Sequence, residues 1–259
     1  MRQMRQSMIL GGAVLVAAVA GPAWAGPGCA FTAPRDLDVP AAGIATLEVR
    51  AQAGELEIRG EPGLARVGVH GTACASRASD LEQIRLVQER RGDRLVLIAE
   101  MPESSGWGNE QRSLDLVLRV PSRLALEVDD GSGDATVRGV ASLDIDDGSG
   151  GLRIADVAGT VRVRDGSGDV DVQDVGALHV TGDGSGDIRA SGVRGDVRVD
   201  EDGSGELRFS RVGGDVRVDH DGSGGIVAED VGGDFVVEDA GSGGVEHRAV
   251  RGRVSIPEH

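Results

Sequence analysis

The sequence predicts an all-β chain folded as a parallel β-solenoid (β-helix), with two short strands in each coil of about 18–19 residues and a disulfide-pinned N-terminal cap. Three observations carry this. Gly-Ser-Gly occurs seven times, with serines at Ser132, Ser149, Ser167, Ser185, Ser204, Ser223 and Ser242, spaced by 17, 18, 18, 19, 19 and 19 residues. A fixed period of this kind marks a repeat architecture. Each unit holds two runs of alternating apolar and polar residues, the period of a strand. Equivalent positions in successive units are also filled alike.

The unit 187–205, DIRASGVRGDVRVDEDGSG, shows the grammar. Ile188 and Ala190 alternate with Arg189 in a first strand, and Val197 and Val199 alternate with Arg198 in a second. Val193 and Gly195 form a V-x-G corner between them, repeated at Val157/Gly159, Val212/Gly214, Val231/Gly233 and Val250/Gly252. Gly-Ser-Gly turns the chain at the other end. The inward pairs of the first strands run Ala135/Val137, Leu152/Ile154, Val170/Val172, Ile188/Ala190 and Leu207/Phe209. Those of the second run Leu143/Ile145, Val161/Val163, Leu178/Val180, Val197/Val199 and Val216/Val218. A meander of hairpins makes no such demand. Stacked coils do, because each strand lies about 4.8 Å from its own copy. An extra residue comes just before Gly-Ser-Gly, as RVRDGSG (162–168) against RVDEDGSG (198–205). A turn is expected to absorb it, since a one-residue slip inside a strand swaps its faces.

The turn residues fit the same scheme. Glycine takes positive φ without steric cost and lets stacked turns approach closely. Serine offers one donor and two acceptors, so a serine column can satisfy turn backbone groups coil after coil. Asp130, Asp147, Asp165, Asp183, Asp202 and Asp221 are placed to accept from the turn's own N–H groups.

The regular coils are assigned to residues 130–259, and residues 26–129 to a cap with irregular first coils of the same solenoid. Within 44–128, TLEVRAQAGELEIRGEPGLARVGVHG, IRLVQERRGDRLVLIAEMP and LDLVLRVPSRLALEV read as strands. ERRGDR (89–94) reads as a hairpin tip and ESSGWGNEQ (103–111) as a polar loop carrying Trp107, a residue for cap packing or for a partner-binding tip. A cap is needed because an open solenoid end is an unpaired sheet edge. At the far end Pro257 removes a donor after Ile256.

The opening MRQMRQSMILGGAVLVAAVAGPAWA reads as a secretory signal peptide over residues 1–25. Arg2 and Arg5 supply the positive start, residues 8–20 the short apolar core, and Ala23-Trp24-Ala25 the small-x-small site, with cleavage between Ala25 and Gly26. The apolar run is shorter than the ~20 residues a membrane span needs. No later segment is apolar enough to insert, so membrane insertion of the mature chain is not expected. The expected location is the periplasm or the exterior of the cell. Both cysteines, Cys29 and Cys74, fall in the exported part, where a disulfide is the default state. A loop of that length would stabilise by about 4 kcal/mol in the chain-entropy account.

Every basic side chain other than His is Arg. Loss of Arg2 and Arg5 with the signal takes the net charge from −16 to −18, which argues against nucleic acid or anionic lipid as partners. Three Phe, two Trp and no Tyr leave a thin core of Val, Leu, Ile and Ala, and no stacking platforms for sugars or bases.

Catalytic readings fail on geometry. A serine nucleophile needs a base within reach, and His179, His220 and His247 fall in different slots of the repeat. Coils this short leave little room for a polysaccharide-cleaving cleft. No catalytic residue, resident metal or cofactor is expected. The Asp-Gly-Ser-Gly turns do keep open a Ca²⁺-dependent binding or sensing module, since calcium favours oxygen-rich loops. The calcium β-roll places one residue between Gly and Asp, whereas here Gly168-Asp169 and Gly186-Asp187 are adjacent. Arg153, Arg162, Arg189, Arg198, Arg208 and Arg217 stand near enough in sequence to offset stacked acids.

With the signal peptide, the early Cys pair and the repeated GSGDxxVxxVxGDVxV grammar, the chain resembles the bacterial β-strand-repeat envelope proteins catalogued as putative adhesins, a family of unknown function. These are related in appearance to the head domain of auto-transporter adhesins. The resemblance spans roughly residues 40–256 and is most specific in 130–256. It implies an exported β-helix without known catalytic residues. No translocator barrel and few aromatic residues accompany it here. The function expected is that of a non-enzymatic envelope module, structural or adhesin-like, whose partner is an unidentified envelope protein or polymer.

The exported protein is expected to begin at Gly26 and to carry one intramolecular disulfide. Intact-mass measurement with and without reductant checks both; two thiols alkylated before reduction would refute the bridge.

Overall fold

The computed structural model describes residues 29–102 and 111–257. The signal segment, the Ala25/Gly26 cleavage site and Trp107 lie outside the described residues. The chain opens with β1 (Phe31–Pro34), β2 (Leu37–Pro40), β3 (Thr46–Arg50), β4 (Leu56–Glu61), β5 (Arg66–Ala75), the short α1 (Ala78–Leu81), β6 (Arg85–Arg91), β7 (Arg94–Glu100) and β8 (Arg112–Pro121). The regular part alternates between two sheets. One receives β10 (Ala135–Arg138), β12 (Leu152–Ala155), β14 (Val170–Gln173), β16 (Ile188–Val193), β18 (Leu207–Val212), β20 (Ile226–Val231) and β22 (Val245–Val250). The other receives β9 (Ala125–Asp130), β11 (Ser142–Asp147), β13 (Thr160–Asp165), β15 (Ala177–Asp183), β17 (Val197–Asp202), β19 (Val216–Asp221), β21 (Phe235–Asp239) and β23 (Val254–Ser255).

The fold is the expected parallel β-solenoid, and its register is like on like. Ala135 pairs with Leu152, Leu152 with Val170, Val170 with Ile188, and Ile188 with Leu207. In the second sheet Leu143 pairs with Val161, Val161 with Leu178, Leu178 with Val197, and Val197 with Val216. All the inward pairs named above are buried. Volumes are matched along a column: Phe209 lies between Ala190 and Ala228. The corner valines Val140, Val157, Val175, Val193, Val212 and Val231 close one edge of this thin core.

The two length changes are absorbed at different places. Units differ by one residue at the V-x-G corner, where Val140 to Leu143 is one residue shorter than Val157 to Val161. The residue expected to sit in the turn is instead a β-bulge inside β15. There Val163 pairs with Val180, but Arg164 pairs with Gly182, so Thr181 is the addition. A bulge takes an odd residue without flipping the strand, so Val180 and Asp183 still face inward. Later coils keep the addition in phase, with Val199 over Val180 and Asp202 over Asp183.

The first coils do not stack in chain order. Strands β7 and β8 pair with β3 and β4 on one side, while β9 and β10 pair with them on the other. The coil β3–β4 is therefore enclosed by chain that follows it. The crossing at 122–124 is held by Arg123, whose guanidinium donates to the carbonyls of Ile44 at 2.6 Å and Ala41 at 2.8 Å. The exposed edge of β8 is covered by antiparallel β5, and that of β7 by antiparallel β6. Strands β1 and β2 lie against the far edge of β5. The hairpin at 89–94 is present, with Gly92 at φ +65°. The Cys29–Cys74 disulfide ties the segment preceding β1 to β5, with Cα atoms 5.6 Å apart. Arg35 donates to the carbonyls of Ile84 and Leu81 and seats α1 on the cap.

Interchangeable coils make one coil removable. Deleting Gly186–Ser204 joins Ser185 to Gly205, preserves the turn and lands every later strand on its like. Stability then falls by about one nearest-neighbour interface. Deleting only Gly186–Gly195 removes one side of a coil and leaves buried backbone groups unpaired, at ~1–3 kcal/mol each. Urea unfolding of the two variants is expected to show a cooperative whole-coil deletion and an unfolded or aggregated half-coil deletion. Equal behaviour of the two would contradict the stacking.

Candidate functional site

The edge built from the Gly-Ser-Gly turns is where the repeated chemistry collects. Its second glycines follow one steric rule. A Cβ on Gly168 would lie 1.7 Å from the Gly150 carbonyl oxygen, and one on Gly186 would lie 1.8 Å from that of Gly168. Gly186 also has φ +141°, a conformation that L side chains rarely adopt. The seven repeat serines, Ser132, Ser149, Ser167, Ser185, Ser204, Ser223 and Ser242, sit on this edge half-buried or exposed. Hydroxyl bonds up the column are not what joins the turns. The serine backbone carbonyls do this, Ser167 accepting from the Gly150 amide at 3.1 Å and Ser185 from Gly168 at 2.9 Å.

Two further aspartate columns stitch coils together from outside. Asp134 accepts from the Gly151 amide at 3.0 Å, Asp169 from Asp187 at 3.1 Å, and Asp187 from Glu206 at 2.8 Å. At the V-x-G corner, Asp196 accepts from Asp215, Asp215 from Asp234, and Asp234 from Arg253, at 2.7–2.9 Å. The next coil's amide holds Asp134 and Asp169 below the usual carboxylate range, aided by Arg153 and Arg189 respectively. The sequence marked these positions only as acids beside glycine.

The aspartates that precede the turns behave differently. Asp130, Asp147, Asp165, Asp183, Asp202 and Asp221 point inward and are 2%, 1%, 4%, 5%, 3% and 2% exposed. They stack on one another in register: Asp130 on Asp147, Asp147 on Asp165, Asp165 on Asp183, Asp183 on Asp202, and Asp202 on Asp221. The expected turn acceptors are thus core residues, which keep the amides of their own turns nearby, as Asp165 does those of Gly166 and Ser167. The clue lay in parity, since Leu143, Ile145 and Asp147 are successive alternate positions. No hydrogen bond of good geometry reaches any of their twelve carboxylate oxygens. The amides of Ser149 and Gly148 lie near enough to draw Asp147 down only in part.

Burial dominates their protonation. It pushes Asp130 up to about 7, Asp147 to about 6 and Asp165 to about 6, with the next aspartate in the column adding to each. Burial also raises Asp202, to about 8, aided by contact with Asp221 and Asp183. Asp183 and Asp221 are raised by burial while the contact with Asp202 holds them down. Two full charges about 4.8 Å apart would repel by roughly 3.5 kcal/mol at an effective dielectric of about 20. The nearby arginines do not relieve this. Arg189, Arg198 and Arg217 point to solvent and pair with the outward Asp169 and Asp187, Asp200 and Asp219, and Asp219 and Glu238.

Three of the described histidines are paired with aspartates, away from the serines, and His247 lies near the Phe235 ring at 6.2 Å. His179 meets Asp200 at 2.8 Å, His220 meets Asp239 at 3.5 Å, and His70 meets Asp36 at 2.6 Å. Among the described residues, no three His, Cys, Asp or Glu side chains converge on a point that could hold a metal ion. No helix among the described residues is long and apolar enough to cross a membrane.

No family model matches the sequence, and no curated protein does. Among solved structures, the chain is similar to a putative adhesin from Parabacteroides distasonis ATCC 8503, at 9% identity over 88% of this chain and 98% of that one, with a TM-score of 0.43. It is similar to a putative adhesin from Bacteroides fragilis NCTC 9343, at 13% identity over 88% and 98%, with a TM-score of 0.42. A putative cell adhesion protein from Clostridium sporogenes ATCC 15579 matches at 12% identity over 87% and 99%, with a TM-score of 0.32.

The turn makes a sharp contrast between neighbours. Gly186→Ala is expected to lose 1–3 kcal/mol or more from its backbone conformation alone, with the contact to Gly168 added. Ser185→Ala, at an exposed site, should stay within about 0.5 kcal/mol of the parent. Denaturant melts of the two variants test whether glycine or serine carries the turn.

Proposed function

We propose that this chain is an exported, non-enzymatic β-solenoid module of the bacterial envelope that presents its extended sheet faces to another protein or polymer. The outward face of the second sheet carries the reading. There Arg198 bridges Asp200 and Asp219, Arg217 bridges Asp219 and Glu238, and Arg94 bridges Glu48 and Glu127. These ladders run across coils and pair much of the charge of an extended surface, which stays acidic at the shallow recess lined by Glu48, Glu127, Asp129, Asp144 and Asp146. Such a surface suits extended contact better than turnover of a small molecule, which calls for a concave apolar pocket. One recess, of about 460 Å³, is an outer corner between coils lined by Arg211, Asp230, Ala249 and their neighbours, and it gathers no nucleophile–base pair.

Export is supported by the sequence of residues 1–25 and by a disulfide of the kind that persists in oxidising compartments. The periplasm or the cell exterior is accordingly the proposed location. The calcium-dependent alternative draws no support from the described carboxylates, which form files and not cages.

Photo-crosslinking in the source bacterium tests the proposal. Photoreactive side chains would replace Arg153, Arg189 or Arg208 on one sheet and Arg162, Arg198 or Arg217 on the other. The expected result is a defined adduct from one face, recovered with the envelope fraction. Recovery of the chain in the cytosol, or no adduct from either face, would overturn it.

A further inference from the structure

The inward aspartate file takes no part in the sheet faces, and the turn amides beside it satisfy its carboxyls only in part. Its slot does not call for an acid. The same inward position is Ala240 in the coil after Asp221, where the residue is 1% exposed, and Ala51 in the coil before Asp130. Alanine thus fits the slot at both ends of the file, and six consecutive coils carry aspartate instead. A carboxyl in so dry a place needs a counter-charge, a donor or a proton.

The surroundings supply no counter-charge, and the only donors near are the amides of the turn that follows, Gly148 and Ser149 for Asp147, Gly166 and Ser167 for Asp165, and Gly184 and Ser185 for Asp183, which draw the carboxyls down in part without completing a hydrogen bond. Beyond the file itself, the charged groups acting on it are Asp129 and Asp134 near its start and Asp239 at its end, all acidic. The residues directly before five of the six aspartates, Asp129, Asp146, Arg164, Glu201 and His220, are exposed, and the sixth, Gly182, has no side chain. On the strands packed alongside, Arg153, Arg162, Arg189, Arg198, Arg208 and Arg217 keep their side chains 42–60% exposed. No donor completes a hydrogen bond to any of the twelve oxygens. What faces each carboxyl along the axis is the next carboxyl, one coil away.

We propose that Asp130, Asp147, Asp165, Asp183, Asp202 and Asp221 form a proton-binding ladder, in which a protonated carboxyl donates its O–H to the carboxylate of the adjacent coil and so joins the coils along the solenoid axis. The protons come from water and are taken up as the chain folds. The ladder makes coil stacking pH-linked. Carboxyls held above their ordinary value contribute stability that is complete below about 4, the unfolded value. That stability is lost as pH rises through the folded values of about 6 to about 8. The outward aspartates have the opposite sign. Asp134 and Asp169 are held low, and their contribution fades only as pH falls below the ordinary range. The fold is therefore tightest in mild acid and loosens toward alkaline pH.

Carbon-13 NMR of aspartate side-chain carboxyls in the oxidised, folded chain tests this directly. A set of signals should titrate at about 6 or above, apart from the exposed aspartates near 4, and single signals should vanish in Asp165→Asn and Asp202→Asn. The unfolding midpoint should fall from pH 5 to pH 8.5. Each proton taken up on folding changes the folding constant by up to tenfold per pH unit, and Asp202→Asn should flatten that slope. Asp202→Ala, which copies the residue at 240, serves if the Asn variant does not fold. The proposal is overturned if every aspartate titrates near 4, or if stability is flat across this range. It is also overturned if Ca²⁺ or Mg²⁺ at pH 8 restores the melting point and shifts the same signals, which would make the file a cation channel in place of a proton ladder.

Discussion

Everything in this molecule depends on one constraint: each residue of a coil lies directly over its own copy in the next, about 4.8 Å away. Hydrogen bonds between parallel strands impose that spacing, and the turns must obey it too. At the Gly-Ser-Gly edge the consequence is steric. The carbonyl of Gly150 occupies the place where a Cβ on Gly168 would stand, so the glycine column follows from the stack and not from the turn alone. In the core the consequence is a thin interior of Val, Leu, Ile and Ala in columns. A large side chain is accommodated at Phe209 by its small axial neighbours Ala190 and Ala228, and at Phe235 between Val216 and Val254, one stack from the end of the sheet.

The same constraint governs where the chain tolerates change. A corner can gain a residue because no alternation of faces runs through it, and its amides still pair from coil to coil, as Gly195 does with Gly176 at 2.7 Å. A strand can gain one only as a bulge, and once Thr181 introduces it, the following strand keeps it: Val199 stacks on Val180 and Asp202 on Asp183, three residues apart in each strand. The cap answers the opposite problem, an end with nothing beneath it. Its antiparallel β5 and β6 cover edges that would otherwise invite further strands.

The periodic part of this architecture was legible in the sequence because register converts a repeat into a visible column. The pairs Val161/Val163 and Val197/Val199 could be aligned by eye, and the structure stacks them as aligned. The enclosure of β3–β4 between β7–β8 and β9–β10 was not legible. Alternation tells which face a residue takes, but not which strand becomes its neighbour, and residues 44–128 lack a repeated marker to fix the order. The aspartate file was missed for another reason. Asp147 lies in phase with Leu143 and Ile145, yet turn chemistry offered acidic residues a ready role as acceptors of the turn's own amides. Chemistry by residue type outweighed parity, and parity was the better guide.

Stacking also changes what an acidic residue means. On an outward face, a column of aspartates is relieved by water and by arginines that reach across coils, as Arg198 does between Asp200 and Asp219. Turned inward, the same side chain meets its copies and little else that could neutralise it. Repetition then multiplies a local cost into a collective property, because no member can shed its charge problem onto a neighbour that has the same one. A proton is the smallest partner that fits the gap, and one proton can serve two adjacent carboxyls. The alanines at 51 and 240 show that such a file can be started and stopped by single substitutions while the surrounding columns continue. A solenoid can in this way acquire an axial element with chemistry of its own without altering either sheet face, which leaves the faces free to be shaped by whatever they contact.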